Sequence, residues 1–162
     1  MSLENLQLNN KFERKEKLKQ LYHNNEYTSL YRYDTPNTEY DEKRENVVSK
    51  KEIIGNWFTD NIQDLKNYIK TRSTNGSIIT IRIPLADLKN YDASILENTK
   101  DMDIEKGNYI VPREIQADSY IEIPLKIETQ NPNKFLFKDW QKINDFVDNN
   151  VSSPEKILNF IE

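Results

Sequence analysis

The chain has 162 residues, a formal net charge of −4 and 31% charged residues, a length that suits one domain burying roughly two-thirds of its unfolded surface without disulfides or metal. It contains no cysteine, one histidine (His23) and three well-separated glycines (Gly55, Gly76, Gly107). Thiol nucleophiles, thiolate or multi-histidine metal sites, the phosphate loop and the G-x-G-x-x-G fingerprint are thereby excluded.

Leu18, Leu21 and Tyr22 make the strongest part of an apolar helical stripe within residues 4–24, and the run Glu13–Lys17 reads as its solvated face. Asn24-Asn25 ends that helix, and Ser29–Tyr33 reads as an aromatic-rich strand stopped by Asp34-Thr35-Pro36-Asn37. Residues 37–52 lack periodicity and are expected to form a long mobile loop. Gly55–Thr59 follows as a short buried segment. Asp60 is expected to cap a helix through Lys70, with Ile62, Leu65, Tyr68 and Ile69 on its inner face.

Asn75-Gly76 marks a turn, and Ser77–Ile83 is the clearest strand, with Ile79, Ile81 and Ile83 on one face. Leu85–Tyr91 predicts a helical turn, and Tyr109–Val111 a small strand ended by Pro112. Ser119–Ile127 alternates as a half-exposed strand that Pro124 places at a sheet edge. Lys134–Asp148 predicts a helix, and Ser153-Pro154-Glu155 opens a last short one. The expectation is one domain over 1–162: an N-terminal helix (1–26), a sheet-containing core (29–127) and C-terminal helices (134–162).

The pI near 5.2 argues against sequence-independent nucleic-acid binding. No apolar run approaches 18 residues and no leader opens the chain, so the expectation is no membrane span and a cytoplasmic location. Asp101–Pro112 resembles a calcium loop only superficially: its glycine falls one place late, and proline stands where a bidentate glutamate is needed. His23, beside Asn24-Asn25, is better placed to meet the last carbonyls of a helix than to act as a base.

Three further pieces occur in order: Leu30-Tyr31-Arg32-Tyr33, then Gly55-Asn56-Trp57-Phe58-Thr59 leading to a helical Tyr68, then Tyr109-Ile110-Val111-Pro112-Arg113-Glu114. Together, over roughly residues 29–127, they resemble the toxin-like branch of the ADP-ribosyltransferase superfamily, which uses arginine, serine or threonine, and glutamate on separate strands. The resemblance implies an α+β fold with a split, bent, mainly antiparallel sheet flanked by helices. It implies NAD as substrate, cleavage of the nicotinamide–ribose bond, and transfer of ADP-ribose to an unknown protein or small-molecule acceptor. Under it Arg32, with Tyr31, anchors NAD, and Thr59 supports the site. Trp57, Phe58 and Tyr68 hold nicotinamide, and Glu114 is the catalytic carboxylate. Thr59 stands where serine is common, and Pro112 stands where acceptor-modifying branches carry Glu or Gln.

Each residue also has an ordinary reading. Arg32 would be a strand residue paired with a carboxylate, the three aromatics core packing, and Glu114 a surface residue. The alternative function is then a non-catalytic α+β domain that binds a protein or a small ligand. The stripe Phe135, Trp140, Ile143 and Phe146 would in that case be either a contact surface or core.

Overall fold

Residues 27–34 (YTSLYRYD) form strand β1, the backbone of the architecture, because its alternate side chains enter two cores, Tyr31 and Tyr33 on one side and Leu30 on the other. The computed structural model describes residues 3–35, 47–48, 54–72, 76–95, 104–127 and 137–161. Helix α1 (Leu3–His23) precedes β1 (Tyr27–Asp34); β2 (Val47–Val48), β3 (Ile54–Thr59) and α2 (Ile62–Lys70) follow. Then come β4 (Ser77–Pro84), β5 (Asn108–Pro112), α3 (Arg113–Gln116), β6 (Ile121–Pro124), α4 (Phe137–Asn150) and α5 (Pro154–Ile157). Short 3-10 turns lie at Leu85–Asn90, Ala93–Ile95 and Leu158–Phe160.

The fold is α+β, with an antiparallel sheet in the order β5–β3–β1–β4–β6 flanked by helices. Gly55 pairs with both Val47 and Pro112, and Thr59 with both Tyr31 and Asn108. A strand has two edges, so β1 and β2 share the edge of β3 opposite β5. The approach at Gly55 is tight: a Cβ there would stand 2.6 Å from the Val111 carbonyl oxygen. Gly107, at φ 93°, supplies the left-handed turn into β5 that side chains resist.

Strand alternation divides the core in two. On the helical side, Leu18, Tyr22, Tyr31, Tyr33, Leu65, Ile69, Ile78, Ile123, Ile143 and Val147 pack together. On the other side, Leu30, Phe58, Ile79, Ile81, Ile83 and Val111 form a second cluster, covered by Leu88, Tyr91, Tyr109, Ile115 and Tyr120. Strand β4, covered on both faces, therefore reads as a nearly continuous apolar run. Each of its four buried isoleucines contributes about 1.5–3 kcal/mol of transfer free energy. A Lys66–Asp148 ion pair at 2.7 Å links α2 to α4.

Several local expectations are corrected. Asn61, not Asp60, caps α2: its backbone is extended, and its side chain accepts from the amides of Gln63 and Asp64. The Asp60 carboxylate instead accepts from the Tyr109 hydroxyl. Tyr68 is 44% exposed and lies off the inner face of α2, which Leu65 and Ile69 fill. Gly55–Thr59 is a full strand, with Ile54 added. Val47–Val48 pairs with it inside the stretch expected to be loop, while 36–46 and 49–53 lie outside the described residues. The strand expected over 119–127 spans only Ile121–Pro124: Ser119 is engaged by Arg82, and Pro124 has no amide to donate. It is terminal in the sheet, as expected. The stripe on α4 is core, with Ile143 and Val147 fully buried and Trp140 and Phe146 packed against them; Phe135 lies outside the described residues. The Asn75-Gly76 turn and the Asp101–Pro112 loop also fall partly outside the described residues.

Arg82 joins the parts. Its guanidinium donates from Nε to the Leu21 carbonyl, from Nη2 to the Asn24 carbonyl, and from Nη1 to Ser29 Oγ. It also lies 5.6 Å from the centroid of the Tyr22 ring. The Ser119 hydroxyl accepts from the Arg82 amide and donates to its carbonyl, while Tyr22 Oη donates to the carbonyls of Thr80 and Ser119. Burial lowers the pKa of Arg82 and raises that of Tyr22. Arg82, rather than the exposed His23, therefore caps α1. Arg82→Ala is expected to cost about 3 kcal/mol and to reduce helical circular dichroism, since it removes three charge-assisted hydrogen bonds that tie the end of α1 to β1 and β4. Loss of less than about 1 kcal/mol in urea unfolding would remove Arg82 from this role.

Thr80 is fully buried, and its Oγ1 has no hydrogen-bond partner among the described residues. Thr80→Val is expected to stabilise the chain by about 1 kcal/mol, because it removes a desolvated hydroxyl and keeps the branched shape. The corresponding rise in Tm is about 2–4 °C. A fall in Tm would contradict this.

Candidate functional site

The sheet face that carries Arg32 and Asn56 borders an open cleft of about 460 Å³. Its lining comes from separate parts of the chain: Arg14 on α1, Arg32 on β1, Asn56 on β3, Arg113 and Gln116 on α3, then Ala117 and Tyr120 before β6. Arg32 points to this side because it alternates with the helix-facing Tyr31 and Tyr33. Phe58 and Asn56 reach the same side from β3 by the same alternation, since Thr59 pairs with Tyr31.

The Arg32 guanidinium lies 5.8 Å from the Phe58 ring centroid, and its Nη2 donates to Asp34 Oδ2, two residues along the same strand face. Gln116 is buried, and both of its amide protons are spent: Nε2 donates to Asn56 Oδ1 at 2.8 Å and to the Val111 carbonyl at 2.7 Å. Those two hydrogen bonds fasten the single turn of α3 to β3 and β5, and so fix the position of Arg113 in α3. Arg14 donates from Nη2 to the Tyr120 carbonyl at 3.3 Å, drawing α1 toward the same rim.

Three guanidiniums thus surround one concavity on a chain whose net charge is negative. The lining offers N–H donors, amide dipoles and one aromatic ring. It contains no carboxylate and no imidazole among the described residues. Such a set holds an anion by charge-assisted hydrogen bonds and is poorly equipped for proton transfer.

The residues anticipated as a site are divided by the sheet. Arg32 lines the cleft, and the buried Phe58 ring backs it from the same side of the sheet. Tyr31 is 7% exposed in the helix-side core, with its pKa raised by burial, and it faces away from Arg32. Thr59 shares the Tyr31 face, and its Oγ1 accepts from the Asn61 amide. Trp57, two residues before Thr59 on β3, projects to that side as well, half-buried. Tyr68 lies on α2, which packs on the helical side, and Arg72 stacks over its ring at 4.8 Å. Glu114 is exposed in α3 and is not among the residues lining the cleft, although its neighbour Arg113 is.

Arg14, Asn56, Arg113, Gln116 and Tyr120 were not singled out from sequence as a group. Arg14 sits in a charged run that reads as a solvated face, and only the order strand–proline–arginine at 111–113 hints that a side chain leaves a sheet end there. A second polar cluster closes the far end of β5, where Tyr109 Oη donates to Asp60. Burial and the Asp60 charge push Tyr109 up to about 12. No protein-family model, no curated protein and no solved structure matches the chain.

The Asn56–Gln116 contact is expected to couple. In a double-mutant cycle with Asn56→Ala and Gln116→Ala, the interaction energy should be about 1 kcal/mol, because either single change already removes the buried amide–amide hydrogen bond. Strictly additive losses in urea unfolding would mean that the pair does not hold α3.

Proposed function

We propose that the chain is a non-catalytic, ligand-binding α+β domain whose cleft takes an anionic group. The observation that carries this reading is the convergence of Arg14, Arg32 and Arg113, from three separate elements, on one cleft. A guanidinium keeps its charge at every physiological pH and presents five donors in a planar fork, which suits carboxylate or phosphate oxygens. The volume falls in the range of small-molecule sites. Gln116 and Asn56 act as the rigid seat of this wall, so little ordering is left to be done on binding.

NAD-dependent ADP-ribosyl transfer, on a split, bent sheet of the ADP-ribosyltransferase kind, is the second reading. It draws on Arg32 in the cleft, with Phe58 behind it, and on the forked edge of β3. It requires Thr59, Trp57 and Tyr68 to serve the same ligand as Arg32. Those three lie on the helical side of the sheet, so the strands themselves stand between them and Arg32. The exposed Glu114 would also have to act from outside the lining. The binding reading needs neither movement.

Thermal unfolding with and without small mono- and polyanions, at constant ionic strength, tests the proposal. An anion at one hundred times its dissociation constant is expected to add about 2.7 kcal/mol of stability. No shift with any anion would refute the binding reading. Nicotinamide release on incubation with NAD, abolished in Glu114→Gln, would replace it with the transferase reading.

A further inference from the structure

We infer that the anion suited to this cleft is a phosphate monoester dianion carried by a small ring-bearing molecule, an inference that rests on the anion-binding reading above. A carboxylate is planar, carries one charge and matches a single guanidinium fork. Here the guanidiniums of Arg14, Arg32 and Arg113 come from α1, β1 and α3 and line the concavity from separate elements. That arrangement suits a tetrahedral group with three terminal oxygens, each taking donors from a different direction.

Charge points the same way. Among the described residues, the lining together with Asp34, which accepts from Arg32, sums to about two positive charges, and a phosphate monoester carries about −1.5 to −2. None of the three arginines has to be unpaired for this. Each has five N–H donors, so an arginine that already holds one acceptor retains others for a ligand. The body of the ligand is set by the one aromatic residue of the lining. Tyr120 borders the cleft, whereas Phe58, behind the Arg32 guanidinium, is buried in the core. A flat apolar body beside Tyr120 gains stacking and dispersion energy that an isolated phosphate does not. The open volume of about 460 Å³ exceeds what an inorganic anion fills.

Calorimetric titration of the full chain with phenyl phosphate, benzoate and inorganic phosphate, at one ionic strength, decides the matter. Phenyl phosphate is expected to bind about tenfold or more tightly than benzoate, and more tightly than inorganic phosphate. Arg113→Ala and Arg14→Ala are each expected to weaken phenyl phosphate about tenfold while leaving the Tm of the unliganded protein in place, since both side chains are exposed. Equal affinity for phenyl phosphate and benzoate would overturn the phosphoryl inference and leave the anion-binding reading standing. Inorganic phosphate binding as tightly as phenyl phosphate would overturn the ring-bearing part. Failure of all three probes at about 10 mM would overturn both the inference and the reading beneath it. Undiminished binding by both variants would move the site away from this cleft; should Arg14→Ala disturb folding, Arg113→Ala decides alone.

Discussion

The Arg82 guanidinium, drawn out of water between sheet and helix, is the constraint on which the rest of the molecule depends. A buried cation is costly unless its donors are satisfied, and here the Leu21 and Asn24 carbonyls and Ser29 Oγ satisfy them. Two of those acceptors, the Leu21 and Asn24 carbonyls, lie in the last turn of α1 and just beyond it, where helix geometry thins the ladder of intrahelical bonds. One side chain therefore answers two deficits at once. Through Ser119 and Tyr22 the same network reaches the segment between α3 and β6, so helix, central strands and cleft rim share a common anchor.

Around that anchor the sheet works as a partition. Every strand is antiparallel to its neighbours, and most are covered on both sides, so consecutive residues enter different environments. Tyr31 goes into the helical core while Arg32 goes to the cleft; Thr59 goes with Tyr31, and Phe58 with Arg32. Residues adjacent in sequence become chemically remote, and Arg14, far away in the chain, becomes a neighbour of Arg32. The cleft is a product of this sorting together with one turn of helix, α3, seated by the Gln116 amide.

Much of the fold was legible in the sequence because it follows local periodicity. The isoleucines of β4, the apolar positions of α4, the Ser153 cap with Pro154 behind it, and the edge position of β6 all follow from patterns spanning a few residues. Where two adjacent residues compete for one role, the local signal fails. Asp60 and Asn61 are both good caps, and Asp60 is diverted by Tyr109, a partner 49 residues away. Tyr68 reads as inner face by spacing alone, yet Leu65 and Ile69 already fill the available surface. The site was less legible still. Arg32 stands out by its aromatic flanks, but nothing local to Arg14 or Gln116 announces that they border the same space.

The sequence by itself determined the class of chemistry open to this protein. With no cysteine, a single histidine and three scattered glycines, the recognition groups left are guanidiniums, amides, hydroxyls, carboxylates and aromatic rings. It also determined most of the strands and helices, because side-chain periodicity is a property of neighbours along the chain. Tertiary structure alone decided which of those groups share a space. Pairing register sets the face on which each side chain of β1 and β3 emerges, and register depends on contacts between residues that the sequence keeps far apart.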